Sequence, residues 1–448
     1  MLDVQIERIA FRGYGIGYAE DKTVFVPYTI PGDKVRISKT HENSKIIFGR
    51  IESYIQKTKD HHEPSCRAFG HQKQCGACDY LDLDYSLQLS IKDGLVSEIF
   101  SPLISSDRID HISPSPITHR YRNKTILPVS GSWKNIHFGM YKRLSHNVVT
   151  HDDCLLQPIL FDQIFEEIMA FCKDARISAT DSDTNNALLR SIGIRCNSDH
   201  SEFIVILVTK SGRLPFSNLL VKRLLDRFPM ISGIVQNIQR DNTNVLLGKE
   251  DKLLYGKYYI NTNIGNVKYR VHYRSFFQIN SACARLLYDY IKEQVDPGSD
   301  VIDAYCGIGS IGLYAADKAN RIIGIDEVPE AITDASFNSQ LNNVANSHYS
   351  CSTAEQFFNT TYPPNRDCCV IIDPPRSGVS KELLEKINGN SARKIIYVSC
   401  NPMTLMRDIK ILINNGFSID RIKPFDMFPH TWHIETVAVL TANRMKQE

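Results

Sequence analysis

The spacing of apolar and polar residues divides the chain into regions of different predicted structure. In residues 1–57, short runs of alternating apolar and polar residues are separated by turn residues such as Gly13 and Gly32. Closely spaced strands with Gly and Pro corners are typical of a small β-barrel of the OB type. A helical pattern follows at about 85–101, and residues 112–260 mix strand-like and helical stretches.

From about residue 281 the pattern becomes a regular alternation of strands and helices. A helix at 281–295 precedes an apolar strand, VIDAY, and such pairs continue toward the end of the chain. Alternating strand–helix units predict a parallel, doubly wound sheet of the α/β, Rossmann-like class. We therefore predict an OB-like domain at 1–57, a mixed α+β central domain at 58–272 and an α/β domain at 273–448. We expect the helix preceding residue 101 to pack on the last domain.

Composition restricts the classes of function. The formal net charge is only +2, so any nucleic-acid surface must be a local patch. No run approaches the roughly 18 apolar residues of a membrane span, and the first residues lack the apolar core of a secretory signal. We therefore expect a cytoplasmic protein with no membrane partner. Twelve cysteines are many for a reducing compartment, where they serve as metal ligands, catalytic groups or packing residues rather than disulfides.

A glycine-rich turn, DAYCGIGSIG, spans residues 303–312 after a predicted strand and opens a helix. Such a turn lets the backbone approach a nucleotide closely. The next strand ends at Asp326, about twenty residues further on, where a carboxylate can hold ribose hydroxyls. A dinucleotide site and a structural turn are the alternatives. Because the turn carries no phosphate-gripping lysine, the small cationic cofactor S-adenosyl-L-methionine fits better than a phosphate-rich one.

Three segments stand at the ends of predicted strands, where open α/β sheets bind their ligands. They are IIDPPRSG (371–378), VSCNP (398–402) and FPHTWHIE (428–435). Paired prolines end the first strand sharply and place Asp373 and Arg376 at the cleft. The sequence thus predicts a cluster of polar side chains at this edge of the sheet.

Cys400 and Glu435 supply the groups that one specific reaction needs. Carbon 5 of uracil is a poor nucleophile, but a thiolate that adds to carbon 6 turns the ring into an enolate that attacks a methyl sulfonium. A base must then remove the carbon-5 proton before the thiolate leaves. An unperturbed cysteine is only a few per cent thiolate near neutral pH, so the site must lower the pKa of Cys400 or let substrate binding do so. A structural role at the strand end is the alternative for Cys400.

Four further cysteines have the spacing of a metal site. Cys66, Cys75 and Cys78 lie in CRAFGHQKQCGACDY, and Cys154 lies in HDDCLLQ. A CxxC pair is a strong metal signal in a cytosolic protein, and four thiolates can hold zinc or an iron–sulfur cluster. The spacing does not separate these two.

Residues 118–150 form the best candidate RNA patch because they contain no Asp or Glu. Their basic residues and interleaved aromatics are Arg120, Arg122, Lys124, Lys134, Lys142, Arg143, Tyr121, Trp133, Phe138 and Tyr141. Positive charge grips phosphates, and aromatic rings stack on unpaired bases. An ordinary solvated β surface is the alternative. Because stacking within a helix hides both faces of a uracil, we expect a target uridine in a single-stranded loop or bulge, flipped into the pocket.

Taken together, the motifs resemble the RNA (uracil-5-)-methyltransferase family. The resemblance rests on DAYCGIGSIG, IDPPRSG, SCNPMTLMRD and FPHTWHIE, supported by SFFQIN (275–280) and YRNK (121–124), and it covers nearly the whole chain. The N-terminal module resembles a TRAM domain, an OB-like RNA-binding barrel of the family's ribosomal branch. The resemblance implies a class I methyltransferase fold and a [4Fe–4S] cluster on the four cysteines. The first cysteine gap has eight intervening residues here and is usually shorter in the family.

The same resemblance implies roles for individual residues. Cys400 would be the nucleophile and Glu435 the acceptor of the carbon-5 proton. The cofactor and uracil pocket would be lined by Gln278, Tyr305, Ser310, Asp326 and Asp373. Thr353 occupies a position where the family often has Asp or Asn, which puts a side-chain contact with the cofactor in doubt there.

The resemblance favours 23S ribosomal RNA as the substrate and a monomeric enzyme. A transfer RNA enzyme is the nearest alternative, since that branch typically lacks the TRAM module and the four cysteines. An amine-directed methyltransferase fits less well because Arg376 stands where those enzymes carry an aromatic residue. A non-catalytic RNA-binding assembly factor is a further alternative, against which Cys400 and Glu435 argue.

Overall fold

The computed structural model describes residues 1–151, 153–179, 188–241, 243, 245–360, 368–388 and 392–443. They fold into two units, each assembled from separate stretches of chain. The first unit comprises residues 1–91, 118–260 and 428–432, and the second comprises 92–117, 261–427 and the chain from 433 onward. Our division of the chain at residues 57 and 272 stays a prediction.

The N-terminal part of the first unit is a six-stranded sheet. Its strands are β1 (Leu2–Gln5), β2 (Arg8–Ala10), β3 (Tyr14–Ala19), β4 (Lys22–Pro27), β5 (Lys34–Glu42) and β6 (Ile46–Gln56), in the order β1-β5-β6-β4-β3-β2. Val24 and Val26 on β4, and Val35 and Ile37 on β5, are fully buried, as the two-residue period of a strand requires. Gly17 allows a close approach, because a Cβ there would lie 2.2 Å from the carbonyl oxygen of Gln5. The predicted N-terminal β-module is therefore confirmed.

The rest of the first unit combines helices with a second sheet, in agreement with the predicted mixed α+β region. The elements are α1 (Tyr85–Phe100), β7 (Lys124–Ser130), β8 (His137–Phe138), β9 (Met140–Tyr141), β10 (Val148–Val149), α2 (Ile159–Asp174), β11 (Leu189–Cys196), β12 (Phe203–Thr209), α3 (Ser217–Arg227), β13 (Ile231–Ile238) and β14 (Glu250–Gly256). The sheet order is β14-β13-β12-β11-β7-β8, and β9 and β10 form a separate hairpin. On α2, Phe161, Ile164, Phe165 and Ile168 recur every three or four residues and are fully buried in the core of this unit. Helix α1 is divided between the two units at residues 91 and 92.

The second unit is built on a seven-stranded sheet. The elements from residue 259 are β15 (Tyr259–Ile264), β16 (Val267–His272), α4 (Ser281–Gln294), β17 (Asp300–Ala304), α5 (Ser310–Tyr314), β18 (Arg321–Asp326), α6 (Pro329–Leu341), β19 (Ser347–Cys351), α7 (Ala354–Thr360), β20 (Cys368–Ile372), α8 (Lys381–Lys386), β21 (Lys394–Ser399), α9 (Pro402–Asn414), β22 (Phe417–Phe425) and β23 (Glu435–Ala442). A 3₁₀ turn at Ser106–Arg108 also belongs to this unit, and β15 and β16 form a two-stranded ribbon.

The order of the seven strands is β19-β18-β17-β20-β21-β23-β22. Strands β17 to β21 are parallel, and the chain changes its direction of travel across the sheet between β17 and β20. Such a switch point opens a crevice at the carboxyl ends of the strands. The Rossmann-like α/β fold is therefore confirmed.

The fully parallel sheet predicted from the sequence differs from the structure in its last strand. Strand β23 runs antiparallel to both β21 and β22. A parallel return needs a crossover of about a dozen residues or more, usually a helix. Residues 426–434, which join β22 to β23, contain no helix, so the chain reverses direction. Among the described helices, none is long and apolar enough to cross a membrane.

Candidate active site

The register of the last strands places Cys400 opposite Glu435. Strand β21 pairs with β23 up to Ser399 and Thr436. Cys400 is the next residue on one strand and Glu435 the next on the other, so the two are cross-strand neighbours. Side chains at such opposed positions lie on the same face of the sheet with Cβ atoms roughly 5 Å apart. The two residues of the predicted catalytic pair are thus brought together.

The chain turns sharply after Cys400 because α9 begins there. Asn401 caps the helix, its side-chain oxygen accepting from the backbone N–H of Met403 at 3.2 Å, and Pro402 occupies the first helical position. The Asn401 side chain also donates to the carbonyl oxygen of Arg376 at 3.3 Å. The loop that carries the thiol is therefore fastened to the loop that follows β20.

Burial and charge act on Cys400 and Glu435 in the same direction. Burial raises the pKa of the Cys400 thiol to about 11, with a further contribution from Glu435, while the Arg376 guanidinium opposes the shift. Glu435 is 3% exposed, and burial together with the charge of Asp373 raises its pKa well above the ordinary value. Burial likewise raises the pKa of Asp373 to about 7. Burial thus favours the thiol form of Cys400 in the free protein, so of the two expected routes to the thiolate, activation on substrate binding is the favoured one.

Asp408, which sequence reasoning missed, holds the loop of residues 376–379 in place. It is fully buried on α9 and accepts hydrogen bonds from the Tyr397 hydroxyl at 2.6 Å, the Val379 N–H at 3.0 Å and the Arg407 Nε at 2.7 Å. Its signal in the sequence is an acidic residue on the apolar stripe of an amphipathic helix, between Leu405 and Leu412.

The glycine-rich turn after β17 is shaped by left-handed backbone conformations. Tyr305, Gly307 and Gly309 have φ angles of 65°, 54° and 78°. The side chain of Asp326, at the end of β18, accepts from the Gly307 N–H at 2.9 Å and from the Val328 N–H at 2.9 Å. Asp326 therefore fixes the turn and keeps lone pairs for a ligand. The spacing GIGSIG is also that of a dinucleotide turn, so the turn alone does not identify the cofactor.

The other predicted cofactor residues have different surroundings. Ser310 begins α5 and accepts a hydrogen bond from the Tyr288 hydroxyl at 3.2 Å. Thr353 follows β19 and forms a capping box with Gln356, which explains a threonine at this position without a ligand. Gln278 is buried, at 3% exposure, two residues before the cap of α4. Tyr305, Asp326, Thr353, Asp373 and Cys400 all follow strand ends at one edge of the sheet, and Gln278 does not follow a strand end.

The four predicted metal ligands lie together in the first unit. Cys75, Cys78 and Cys154 are buried, Cys66 is half-buried, and all four line one small cavity. Within the described residues, however, no three His, Cys, Asp or Glu side chains converge as the ligands of a single metal ion do. The thiols share a cavity without meeting at one point.

A buried cation, Arg122, lies close enough to these cysteines for their charges to affect its pKa. Burial alone would lower the pKa of Arg122, but Tyr121 and the thiols of Cys154 and Cys78 raise it. Among the described residues, no hydrogen-bond partner reaches the buried Nε of Arg122. A buried guanidinium that faces thiols rather than carboxylates suits thiolates that carry the negative charge of a metal group. The chemistry of these residues therefore suits thiolates that bind a metal group, but the described side chains do not converge as the ligands of one ion do.

The predicted RNA patch is not one continuous surface. Tyr121 and Phe138 are buried. Arg120 forms a bidentate ion pair with Asp153, with N–O distances of 2.7 and 2.9 Å. Arg143 forms an ion pair with Asp79. Paired and packed residues of this kind are partly structural. The exposed aromatic of the patch is Tyr141, at 40% exposure.

The comparisons with known proteins identify the family of the chain. A family described as tRNA (Uracil-5-)-methyltransferase matches residues 204–443, and the TRAM domain of tRNA (uracil(54)-C(5))-methyltransferase matches residues 2–50. Uncharacterised RNA methyltransferases of Halalkalibacterium halodurans and Oceanobacillus iheyensis are 33% and 34% identical to the chain, covering 98% and 97% of it and 96% and 95% of their own lengths.

A solved structure matches over the whole chain. The crystal structure of Pyrococcus abyssi tRNA (uracil-54, C5)-methyltransferase in complex with S-adenosyl-L-homocysteine is 25% identical, with a TM-score of 0.78, and covers 98% of this chain and 100% of that chain. The relatives and the fold agree over nearly the full length. The chain therefore belongs to the family of S-adenosylmethionine-dependent RNA (uracil-5-)-methyltransferases with an N-terminal TRAM domain.

Proposed function

We propose that this chain methylates carbon 5 of a uridine in RNA through a covalent bond between Cys400 and carbon 6 of the uracil. The observation that supports the proposal is the register of β21 and β23, in which Cys400 follows Ser399 and Glu435 precedes its partner Thr436, together with the effect of the Glu435 charge on the Cys400 thiol. A nucleophile and a base are needed on the same side of the reacting ring, and this pair supplies both. Bound S-adenosylmethionine would supply the methyl group as an electrophilic sulfonium.

Cys400 acts first and last in this scheme. Its thiolate forms a bond to carbon 6, and the electron pair of the carbon 5–carbon 6 double bond moves into the ring as an enolate. Carbon 5 then bonds to the methyl carbon as the methyl–sulfonium bond breaks. Glu435 takes the proton from carbon 5, the double bond re-forms, and the carbon–sulfur bond to Cys400 breaks. The raised pKa of Glu435 makes its carboxylate a stronger base than an ordinary glutamate, which suits this step.

Five residues would hold the cofactor and the uracil. Asp326 would bind the ribose hydroxyls, because its carboxylate lies at the end of β18 beside the glycine-rich turn. Tyr305, Asp373 and Gln278 would line the remainder of the pocket, with Ser310 at the start of α5. The capping role of Thr353 makes its backbone the more suitable contact.

Two RNA substrates are compatible with this chemistry. The four cysteines favour 23S ribosomal RNA, the substrate that the sequence motifs imply. Transfer RNA is favoured by the archaeal relative, whose name specifies uracil 54 and which shares the architecture over its full length. Because the TRAM match is itself to a transfer RNA enzyme, that module no longer separates the two substrates. Both RNAs are cytoplasmic, and we expect a monomer acting there on an unpaired uridine.

We further propose that Cys66, Cys75, Cys78 and Cys154 bind a [4Fe–4S] cluster rather than one zinc ion. In a cluster each thiolate binds a different iron, whereas zinc draws all four sulfurs to about 2.3 Å from one point. The cavity that the four cysteines share supports a thiolate-bound group, and the resemblance of the motifs to the family favours the cluster. Iron and acid-labile sulfide analysis of anaerobically purified protein tests this. We expect both elements in wild type and in Cys172→Ser, and loss of both in Cys78→Ser; stoichiometric zinc without sulfide contradicts it.

The reaction and substrate are tested by mapping 5-methyluridine by mass spectrometry. Ribosomal and transfer RNA from cells with and without the gene are compared, and the lost modification is restored with the wild-type gene or with Cys400→Ala. We expect a 23S position to lose its methyl group and only the wild-type gene to restore it. A loss confined to transfer RNA would keep the chemistry and reject the ribosomal substrate. Restoration by Cys400→Ala would reject the covalent mechanism.

A further inference from the structure

A groove lined by aromatic rings lies on the first unit and contains none of the proposed reacting residues. We call it the aromatic groove; its rings are Phe11, Tyr14, Phe25, Phe48, Tyr141 and Trp432, and its volume is about 1000 Å³. We propose that it binds a single-stranded segment of the RNA substrate by stacking unpaired bases on these rings. The inference rests on the proposed function for the identity of that RNA, and it adds a second binding site to the uridine pocket.

The rings are arranged so that parts of them stay open. Phe25 and Phe48 stack on each other with centroids 5.2 Å apart, and both are only half-buried. Phe11 and Trp432 meet edge to face at 5.0 Å and are also half-buried. Half-buried rings on a groove wall leave apolar surface for planar ligands. Stacking on nucleobases suits such surfaces because every base offers a π-face.

The charges around the rings favour a polyanion. Arg12, Lys142 and Arg143 line the groove together with His41 and His146. The guanidinium of Arg143 lies 5.3 Å from the centre of the Tyr14 ring and 5.2 Å from that of Tyr28. Among the described residues that line the groove, Asp79 carries the one carboxylate. It pairs with Arg143 and accepts a hydrogen bond from the backbone N–H of Trp432 at 2.9 Å. Positive groups around stacking rings are the combination by which proteins bind single-stranded RNA.

The segments that form the walls of the groove approach one another closely. Gly13 has a φ of 72°, and a Cβ there would lie 3.1 Å from the Cβ of Trp432 and 3.3 Å from that of Asp79. The Gly76 N–H donates to the carbonyl oxygen of Tyr141 at 2.9 Å. The N-terminal sheet, the cysteine loop, the β9–β10 hairpin and the 428–432 segment therefore approach one another at the groove.

The size and chemistry favour unpaired nucleotides over a duplex. Pockets for drug-sized ligands span roughly 300–1000 Å³, so a groove of about 1000 Å³ holds more than one nucleotide. A duplex hides the faces of its bases and offers mainly phosphates, which do not need aromatic walls. The occupant we infer is therefore a loop or strand with splayed bases.

The two tryptophans of the chain allow a direct test by fluorescence. Trp133→Phe leaves Trp432 as the only tryptophan, and Trp432→Phe leaves Trp133. Trp133, which belongs to the RNA patch predicted from the sequence, is the comparison because it does not line the groove and has Lys134 and Arg176 at 5.5 and 5.4 Å from the centre of its ring. The probes are a short single-stranded RNA of mixed sequence and the blunt duplex formed from it.

We expect saturable quenching of Trp432 by the single strand, much weaker quenching by the duplex, and little change at Trp133. Anisotropy of the labelled RNA reports binding independently. The proposal is overturned if the single strand binds while the emission of Trp432 stays unchanged, or if Trp133 responds as strongly.

Affinity supplies a second test that does not depend on one variant folding. Trp432→Ala and Phe25→Ala should each weaken single-stranded RNA binding by roughly 5- to 100-fold, whereas Tyr255→Ala, which removes an exposed ring of β14 outside the groove, should stay within about twofold of wild type. Methyl transfer by wild type is measured on the same RNA. Absence of methylation with the groove effects intact would reject the proposed function alone. Normal methylation with unchanged affinity in both groove variants would reject the groove alone.

Discussion

The negative charge of an ionised Glu435 acts on the Cys400 thiol, so removing this carboxylate should make the thiol more reactive. Glu435 raises the pKa of Cys400, so Glu435→Gln should lower that pKa and increase the thiolate fraction at a given pH. Two unit charges about 6 Å apart interact by roughly 3 kcal/mol at an effective dielectric constant near 20, about a hundredfold in thiolate. Because Cys400 is partly exposed, solvent screening reduces this to about tenfold; because Glu435 acts only when ionised and its own pKa is raised, we expect the increase at the alkaline end of the pH range.

The assay is the rate of iodoacetamide alkylation of Cys400, measured by peptide mass spectrometry between pH 7 and pH 9. With a pKa of about 11, the wild-type thiol is about one part in ten thousand thiolate at pH 7, so its rate should rise about tenfold per pH unit. The exposed Cys351 is the internal reference, and Asp420→Asn on the same sheet is the control for a remote acid. An unchanged or slower alkylation rate in Glu435→Gln at pH 9 would refute the claim that the Glu435 carboxylate raises the pKa of Cys400.

Three further predictions concern the supports of the site and of the first unit. Asp326→Asn should weaken S-adenosyl-L-homocysteine binding about 10- to 100-fold in calorimetry, because it removes a charged acceptor from the glycine-rich turn, while the exposed control Glu330→Gln should bind normally. Asp408→Asn should lower the free energy of unfolding in urea by about 2–3 kcal/mol, since it weakens two buried hydrogen bonds and a partly exposed one to Arg407; a change below about 0.5 kcal/mol would contradict that role. Burial opposes protonation of His61, but its hydrogen bonds to two aspartates raise its pKa to about 9, so its contribution to stability is complete below about pH 6.5 and is lost as pH rises through 9. Melting curves should therefore show a decline in wild type over this range that is smaller in His61→Ala.

The sequence predicts the sheet of the second unit well because the spacing of apolar residues and the positions of glycine and proline are local signals. The helix predicted at 281–295 is observed at Ser281–Gln294, and the glycine-rich turn opens α5 as expected. The direction of β23 is missed because it depends on what the connection between two strands can span, which no periodicity records. The nine residues 426–434 carry no helical pattern, and a link of that length without a helix predicts that the next strand runs antiparallel.

The assignment of Cys400 and Glu435 as reacting groups stays a prediction, made because reactive side chains coincide with strand ends. Asp408, which supports the neighbouring loop, was missed because it lies among the apolar residues of α9. The state of Cys400 also depends on tertiary burial, which outweighs the nearby helix N-terminus and raises the pKa of the thiol. The aromatic groove brings together residues from four distant segments, from Phe11 to Trp432, and only the fold places them side by side.

The covalent adduct at Cys400 is the most direct test of the central claim. Wild type, Glu435→Gln, Cys400→Ala and the control Cys351→Ala are incubated with S-adenosylmethionine and the mapped RNA, and protein–RNA adducts are resolved on denaturing gels and digested for mass spectrometry. We predict that Glu435→Gln accumulates an adduct in which Cys400 carries a 5-methylated uridine, because the carbon-5 proton cannot be removed. Cys400→Ala should form none, and Cys351→Ala should behave as wild type. An adduct that persists in Cys400→Ala, or full methylation by that variant, would contradict the account.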